Sequence, residues 1–229
     1  GLDQQRLVGF LQYAGDQLAV APENARFEFD EAADELGLVR PAVVGRALDV
    51  EKTMQIVNAA LEAGEHNVYL RFQAVDPELG DETRAEELGI TGLVAQASTF
   101  FRGSGEARRQ NIRAGAETMH GVMVPPGEEF SFNANLGDIS LDTGFAEAWI
   151  IFGGRTIQGV GGGICQVSTT AFRSAFFGGY PIVERNPHAY RVGYYEQGPG
   201  SPGPGLDATI FSPVADFRFQ NDREAWLLI

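Results

Sequence analysis

Apolar residues recur at near-helical spacing across residues 2–20 (LDQQRLVGFLQYAGDQLAV) before Pro22 interrupts, which predicts an opening helix. ARFEFD, residues 25–30, then alternates, with Phe27 and Phe29 on one side, and predicts a strand. DVEKTMQIVNAALEA, residues 49–63, returns to helical spacing: Asp49 stands at the cap, Met54, Val57 and Leu61 form a stripe, and Gly64 supplies the stop. HNVYLRFQAV (66–75) predicts a second strand, and the acidic DPELGDETRAEELGI (76–90) turns into a short helix. Residues 1–90 are therefore expected to form a small α+β domain.

The pattern over 91–229 predicts a second domain. LVAQASTFF (93–101) has the composition of a strand, and EARRQNIRAGAETMHGVMV (106–124) starts as a helix. PPGEEFSFN and GFAEAWIIFGGRTIQ suggest turns followed by strands. After a glycine run, ICQVSTTAFRSAFF (164–177) is a helix stopped by Gly178 and Gly179. The last third is β in character, through YPIVER, HAYRVGYY, DATIFSP and DFRFQN, with QGPGSPGPG (197–205) as a connection between two strands.

Charge narrows the partners. The chain carries 31 Asp and Glu against 17 Lys and Arg, a formal charge of −14, and no basic cluster, so nucleic acid is excluded as a partner. The excess is uneven: 18 acidic against 7 basic side chains over 1–90, and 13 against 10 over 91–229, which supports two domains with different surfaces. No apolar run approaches the roughly 20 residues that cross a bilayer. The chain begins at Gly1 rather than Met, as expected of a processed form that has lost an N-terminal membrane anchor.

The single cysteine, Cys165, sits in GVGGGICQVSTT between glycines and the start of a helix. There a sulfur lies near unpaired backbone N–H groups and the positive end of a helix dipole, a setting that favours the thiolate. His188 follows 23 residues later, at the start of an alternating stretch that would align it with Tyr190, Val192 and Tyr194, and Asp207 comes 19 residues after that. The order is that of a thiol triad: Cys165 as nucleophile, His188 as base, Asp207 to fix the imidazole tautomer. Gln166 and the backbone N–H of Cys165 are candidate oxyanion donors. Arg109, Asn111 and Arg113 are candidates for orienting a substrate carboxylate. Other readings stand beside these: a buried packing cysteine, a surface-paired histidine, a turn aspartate and a solvated helix face. The glycines lack the Lys-Ser/Thr of a phosphate loop and the spacing of a dinucleotide fingerprint, so no cofactor is expected; close backbone approach and φ > 0 are their simpler use. His66 and His120 stand apart from any cluster with ligand spacing, and no metal is expected.

Several motifs, taken in order, resemble the VanW family: RRQNIRAGAETMHGVMVPPGEEFSFN, GFAEAWII, GVGGGICQVSTTAF, ERNPHAYRVGYY and DATIF, covering about residues 91–222. VGRALDVEKTMQIVNAAL and VYLRFQAVDPELGDETRAEELGI resemble the peptidoglycan-binding domain that often precedes VanW domains. A weaker similarity links the order Gly163-Ile164-Cys165, GGYPIVE, HAYRVGYY and DAT to transglutaminase-like cysteine enzymes, on the positions Cys165, His188 and Asp207. Gln166 stands where those enzymes carry an aromatic residue, and Ala208 where they carry proline.

The resemblances imply an α+β fold: a peptidoglycan-binding α+β domain over 1–90, then a VanW domain over 91–229 whose cysteine-bearing helix packs on an antiparallel sheet in transglutaminase- or papain-like order. They imply an extracytoplasmic protein at the cell surface or cell wall, membrane-anchored in its full-length form, with peptidoglycan or wall peptides as partner. The expected function is cysteine-dependent acyl transfer or amide hydrolysis on peptidoglycan peptides. The alternative is a non-catalytic module that binds peptidoglycan or protein in the envelope. The sequence does not set an oligomeric state.

Overall fold

The computed structural model describes residues 3–229, apart from the side chain of Phe152. The chain forms two compact units, one of residues up to Arg26 together with 38–83, the other of 27–37 together with 84–229. The architecture is mixed α+β in both.

In the first unit, helix α1 (Gln4–Leu18) is capped by the Asp3 carboxylate, which accepts from the N–H groups of Gln5 and Arg6. Strands β1 (Arg26–Asp30) and β2 (Glu35–Arg40) form a hairpin whose turn, with residues 27–37, belongs to the second unit. Strand β3 (Gly45–Leu48) leads into α2 (Val50–Glu62), where Asp49 caps through Lys52 N at 2.9 Å. Strand β4 (Phe72–Val75) pairs antiparallel with β3, Gly45 opposite Val75 and Leu48 opposite Phe72. The strand expected over 66–75 is thus confined to its last four residues. Just before them, Arg71 has its N–H on the buried Thr53 hydroxyl and its carbonyl on Asp49 N, at 3.0 and 2.8 Å, so the α2 entrance takes the groups a longer ladder would use.

The second unit begins its regular structure with the short α3 (Ala85–Leu88) and α4 (Glu106–Met119). Strand β5 (Met123–Val124) is followed by β6 (Glu129–Ser131) and α5 (Phe132–Leu136), then by the hairpin β7 (Glu147–Phe152) and β8 (Arg155–Val160). Helix α6 (Ile164–Phe177) carries the cysteine. Strands β9 (Ile182–Glu184) and β10 (Arg218–Gln220) complete an antiparallel sheet in the order β6-β10-β9, and β11 (Leu227–Leu228) pairs with β5.

Helix α6 packs on the three-stranded sheet through an aromatic core. Phe130 stacks on Phe219 with centroids 5.0 Å apart, and Phe172 of α6 meets Phe217 edge-on at 5.7 Å. The other flank of α6 meets α4 at Gly115, where an added Cβ would lie 3.6 Å from Val167.

Three expected strands are absent: DATIFSP makes only isolated bridges at Thr209 and Phe211, so 197–205 does not connect two strands, and the other two are 93–101 and HAYRVGYY. Residues 93–101 run without a ladder partner: Leu93 N is held by the Glu31 carboxylate, and Thr99 bonds Thr170 and Gln166 through its hydroxyl. HAYRVGYY is a loop ending in a 3₁₀ turn over Gly193–Glu196, so His188, Tyr190, Val192 and Tyr194 do not share a face. Val192 is buried, while Tyr190 and Tyr194 are exposed. Side chains again take the backbone groups a ladder needs, since the Asp207 carboxylate binds His188 N and Arg173 binds the Tyr195 carbonyl.

Candidate active site

The glycine run has a steric cause. At Gly162 a Cβ would lie 2.5 Å from the Trp149 carbonyl oxygen, so only glycine lets this backbone press against β7. Gly163 has φ of +118°, outside the reach of most L-residues, and faces Arg108 and Ile112 of α4. Asn111, fully buried on α4, fastens the same loop: its amide donates to the carbonyls of Gly162 and Ala146, both at 2.9 Å, and its Oδ1 accepts from Ala146 N at 2.7 Å. The start of α6, and with it Cys165, is thereby held against both β7 and α4.

A polar stripe on α6 then docks residues 206–210 beside the cysteine. Cys165, Ser168, Thr169 and Arg173 follow i, i+3, i+4 and i+8 spacing and share one face. Ser168 Oγ donates to Ala208 O at 2.7 Å, and Thr169 Oγ1 accepts from Ala208 N at 3.1 Å. Cys165 Sγ lies 3.4 Å from Thr209 Oγ1 and 3.7 Å from Ile210 O. An isolated bridge between Asn186 and Thr209 brings the histidine loop onto the same segment.

These contacts place Asp207 against His188. The Asp207 Oδ2 accepts from His188 N at 2.9 Å and lies 2.5 Å from His188 Nδ1, so one carboxylate oxygen fixes both the loop and the ring. The other oxygen takes Arg185 Nη2 at 3.0 Å, while Arg185 Nε donates to Asp207 O. The imidazole is 3% exposed and stands edge-on to Tyr195 at 5.5 Å. Its electrostatic neighbour on the other side is Cys165, and each shifts the pKa of the other.

The electrostatics follow from this linkage. Burial alone would raise the Cys165 pKa, but the neighbouring His188, the Thr209 hydroxyl and the imidazolium charge together hold it below its ordinary value. Burial would likewise lower His188, yet the bond to Asp207 and the neighbouring Cys165 raise it to about 9. Asp207 is held low by His188 and Arg185 against the opposing effect of burial. Both shifts act toward a thiolate beside an imidazolium, the form in which a cysteine attacks a carbonyl. Among the described residues the N–H of Cys165 has no hydrogen-bond partner, which leaves it free at the positive end of α6.

The other candidates are engaged elsewhere. Gln166 is buried, its Oε1 taken by Arg108 Nη2 at 2.6 Å and its Nε2 bonded to Thr99 at 3.1 Å. Arg109 pairs with Glu106, and Arg113 lies 4.0 Å from the same carboxylate, both on the outer face of α4. Asn111 is brought to the site as an anchor of its loop rather than as a group facing a ligand.

The family described as VanW like protein matches residues 107–229, more than half of the chain and all of the constellation around Cys165. The chain belongs to the VanW family. The uncharacterized protein YoaR of Bacillus subtilis (strain 168) is 37% identical over 169 residues, 74% of this chain and 50% of YoaR. The vancomycin B-type resistance protein VanW of Enterococcus faecalis (strain ATCC 700802 / V583) is 28% identical over 114 residues, 50% of this chain and 41% of that protein. The chain thus spans about half the length or less of these curated relatives. No solved structure matches it.

Within the VanW match, sequence reasoning overlooked Ser168, Thr169, Arg173, Arg185 and Thr209. For the first three a signal was present: polar residues at i+3, i+4 and i+8 from the cysteine on an otherwise apolar helix. Arg185 and Thr209 lie in loops and isolated bridges, where no periodicity marks them.

Proposed function

We propose that this chain is a cell-wall-associated, extracytoplasmic protein in which Cys165, His188 and Asp207 carry out acyl transfer or amide hydrolysis on peptidoglycan peptides. One observation carries the reading: the Asp207 carboxylate grips the His188 ring and backbone together, and Thr209, two residues on from Asp207, lies 3.4 Å from the sulfur of a cysteine at a helix start. The wall as the place of action is supported by the Enterococcus relative, whose name ties it to vancomycin resistance. The first, more acidic region is assigned to contact with wall material, and the full-length protein to a membrane anchor.

In the proposed reaction the Cys165 thiolate attacks the amide carbonyl carbon, and the developing oxyanion lies near the Cys165 N–H. The C–N bond then breaks as the His188 imidazolium gives its proton to the leaving amine, which leaves a thioester on Cys165. Water, or a second amine, attacks the thioester while His188 takes the incoming proton. Thiolate and imidazolium are restored. Asp207 holds the ring in one orientation throughout and stays ionised.

The test is the rate of iodoacetamide alkylation of Cys165 between about pH 4 and 9, in wild type and His188→Ala. The expected result is a rate that remains high well below the free thiol pKa of about 8.5 and that falls about tenfold or more at pH 6 without His188. An inert thiol, or one indifferent to His188, would sink the proposal and leave a non-catalytic binding module.

A further inference from the structure

Arg173 leaves α6 about two turns beyond Cys165 and is 2% exposed. Its Nε donates to the Leu206 carbonyl at 2.7 Å and its Nη1 to the Tyr195 carbonyl at 2.9 Å. Nη2 has no hydrogen bond, and no carboxylate reaches ion-pair distance of the guanidinium, among the described residues. A guanidinium stays charged in any protein setting, and a buried charge is ordinarily paired. Here Asp207 and Glu196 favour the charge from a distance, but no carboxylate contacts it.

The same side chain lines a pocket of about 270 Å³ that also touches His188, Tyr195, Asp207 and the glycine-proline loop at Gly203–Gly205. Its charged lining is Arg173, Arg191 and His188 against Glu196 and Asp207. Arg191 is matched by Glu196, which takes its Nε at 2.9 Å, and His188 is matched by Asp207. Among the described residues of this lining, Arg173 is the cation with no carboxylate in contact: Asp207 and Glu196 act on it only from beyond ion-pair distance. The chemistry that completes it is a carboxylate, whose two oxygens fit the open edge of a guanidinium.

We propose that Arg173 receives a carboxylate of the peptide substrate in this pocket, which shares His188 with the candidate site, so that the protein acts on peptides carrying a free carboxylate. Calling that peptide the substrate rests on the acyl-transfer reading above; the carboxylate site itself does not. Glycines at 203 and 205, both at positive φ, and Pro204 between them form the wall nearest Leu206, which confines the ligand to a small group.

The experiment measures binding to the full chain carrying Cys165→Ala, which abolishes turnover. N-acetyl-alanyl-alanine, its C-terminal carboxamide and acetate are titrated by calorimetry. The expected result is that the dipeptide acid binds about tenfold or more tighter than its amide, and tighter than acetate. Adding Arg173→Lys, which keeps the charge but loses the fork, should bring acid and amide to within about threefold. Arg173→Gln is the second variant, with the same expectation, should the lysine form fold poorly. A merely structural role would weaken both ligands alike. Equal affinity for acid and amide overturns the site, as does acid preference that survives both Arg173 variants. Acetate binding as tightly as the dipeptide acid overturns the assignment to a peptide. None of these outcomes depends on whether Cys165 proves reactive, so failure here and failure of the acyl-transfer reading remain separate.

Discussion

On α4, Arg109 and Arg113 share one solvent-facing carboxylate, Glu106, whereas on α6 Arg173 is enclosed and binds two backbone carbonyls. Exposed pairs of the first kind are screened by water and give little to stability. In the second region most polar groups have left water, so each contact must be matched by geometry, and each one positions something: Asn111 the glycine loop, Ser168 and Thr169 the Ala208 segment, and the partly exposed Asp207 the imidazole. The same residue types mean different things in the two places because the surrounding dielectric differs. An arginine near a cysteine in sequence is therefore a weak guide to function until its burial is known.

The strongest way to break this contrast is at Asp207. Asp207→Asn removes the Asp207 charge and bond that raise His188 while leaving the effect of Cys165, and should lower its pKa clearly below about 9. The accompanying loss of alkylation rate near neutral pH should be about tenfold or more, with the histidine pKa read by NMR. An unchanged His188 pKa would mean that the short contact does not govern the ring.

Next comes the anchor of the loop. Asn111→Ala strands the Gly162 carbonyl and the Ala146 N–H, while the Ala146 carbonyl keeps its bond from Gly161 N, and should lower stability by about 2–4 kcal/mol in urea titrations. Gly162→Ala would drive a Cβ against the Trp149 carbonyl and should cost about 1–3 kcal/mol while slowing Cys165 alkylation. A variant as stable and reactive as wild type would show that the loop has room to shift.

The pH dependence is smaller and has a definite sign. His188 is raised above its ordinary value, so its charged form stabilises the fold in full below about pH 6.5, and this contribution is lost as the pH rises through about 9. At most about 3 kcal/mol is involved. The wild type should lose this stability across that window relative to His188→Ala, compared by urea midpoints at each pH. A constant difference between the two proteins would count against the bonded imidazolium.

At the surface the expectation is close to nothing. Arg109→Ala and Arg113→Ala should leave both the melting temperature and the alkylation profile within measurement error. A marked fall in either would reverse the contrast and restore these arginines as candidates for ligand contact.

Chain-local physics made much of the molecule legible. Helical spacing with Asp49 as cap and Gly178–Gly179 as stop anticipated α2 and α6, and GFAEAWIIFGGRTIQ was legible as turn and strand, though its pairing as the β7–β8 hairpin was not. The placement of Cys165 at a glycine-to-helix junction, and the order of His188 and Asp207 after it, were visible for the same reason: caps, breakers and spacing act over a few residues. The partners of backbone groups were not. Whether HAYRVGYY pairs as a strand depends on what binds its N–H and C=O groups, and those partners, Asp207 and Arg173, come from far along the chain. Gln166 illustrates the same limit, since its amide points to Arg108 and Thr99 only once α4 and residues 93–101 have packed around it. Local conformational preference is written in neighbouring residues, whereas burial, pairing and pKa arise from groups that meet only when the chain has folded.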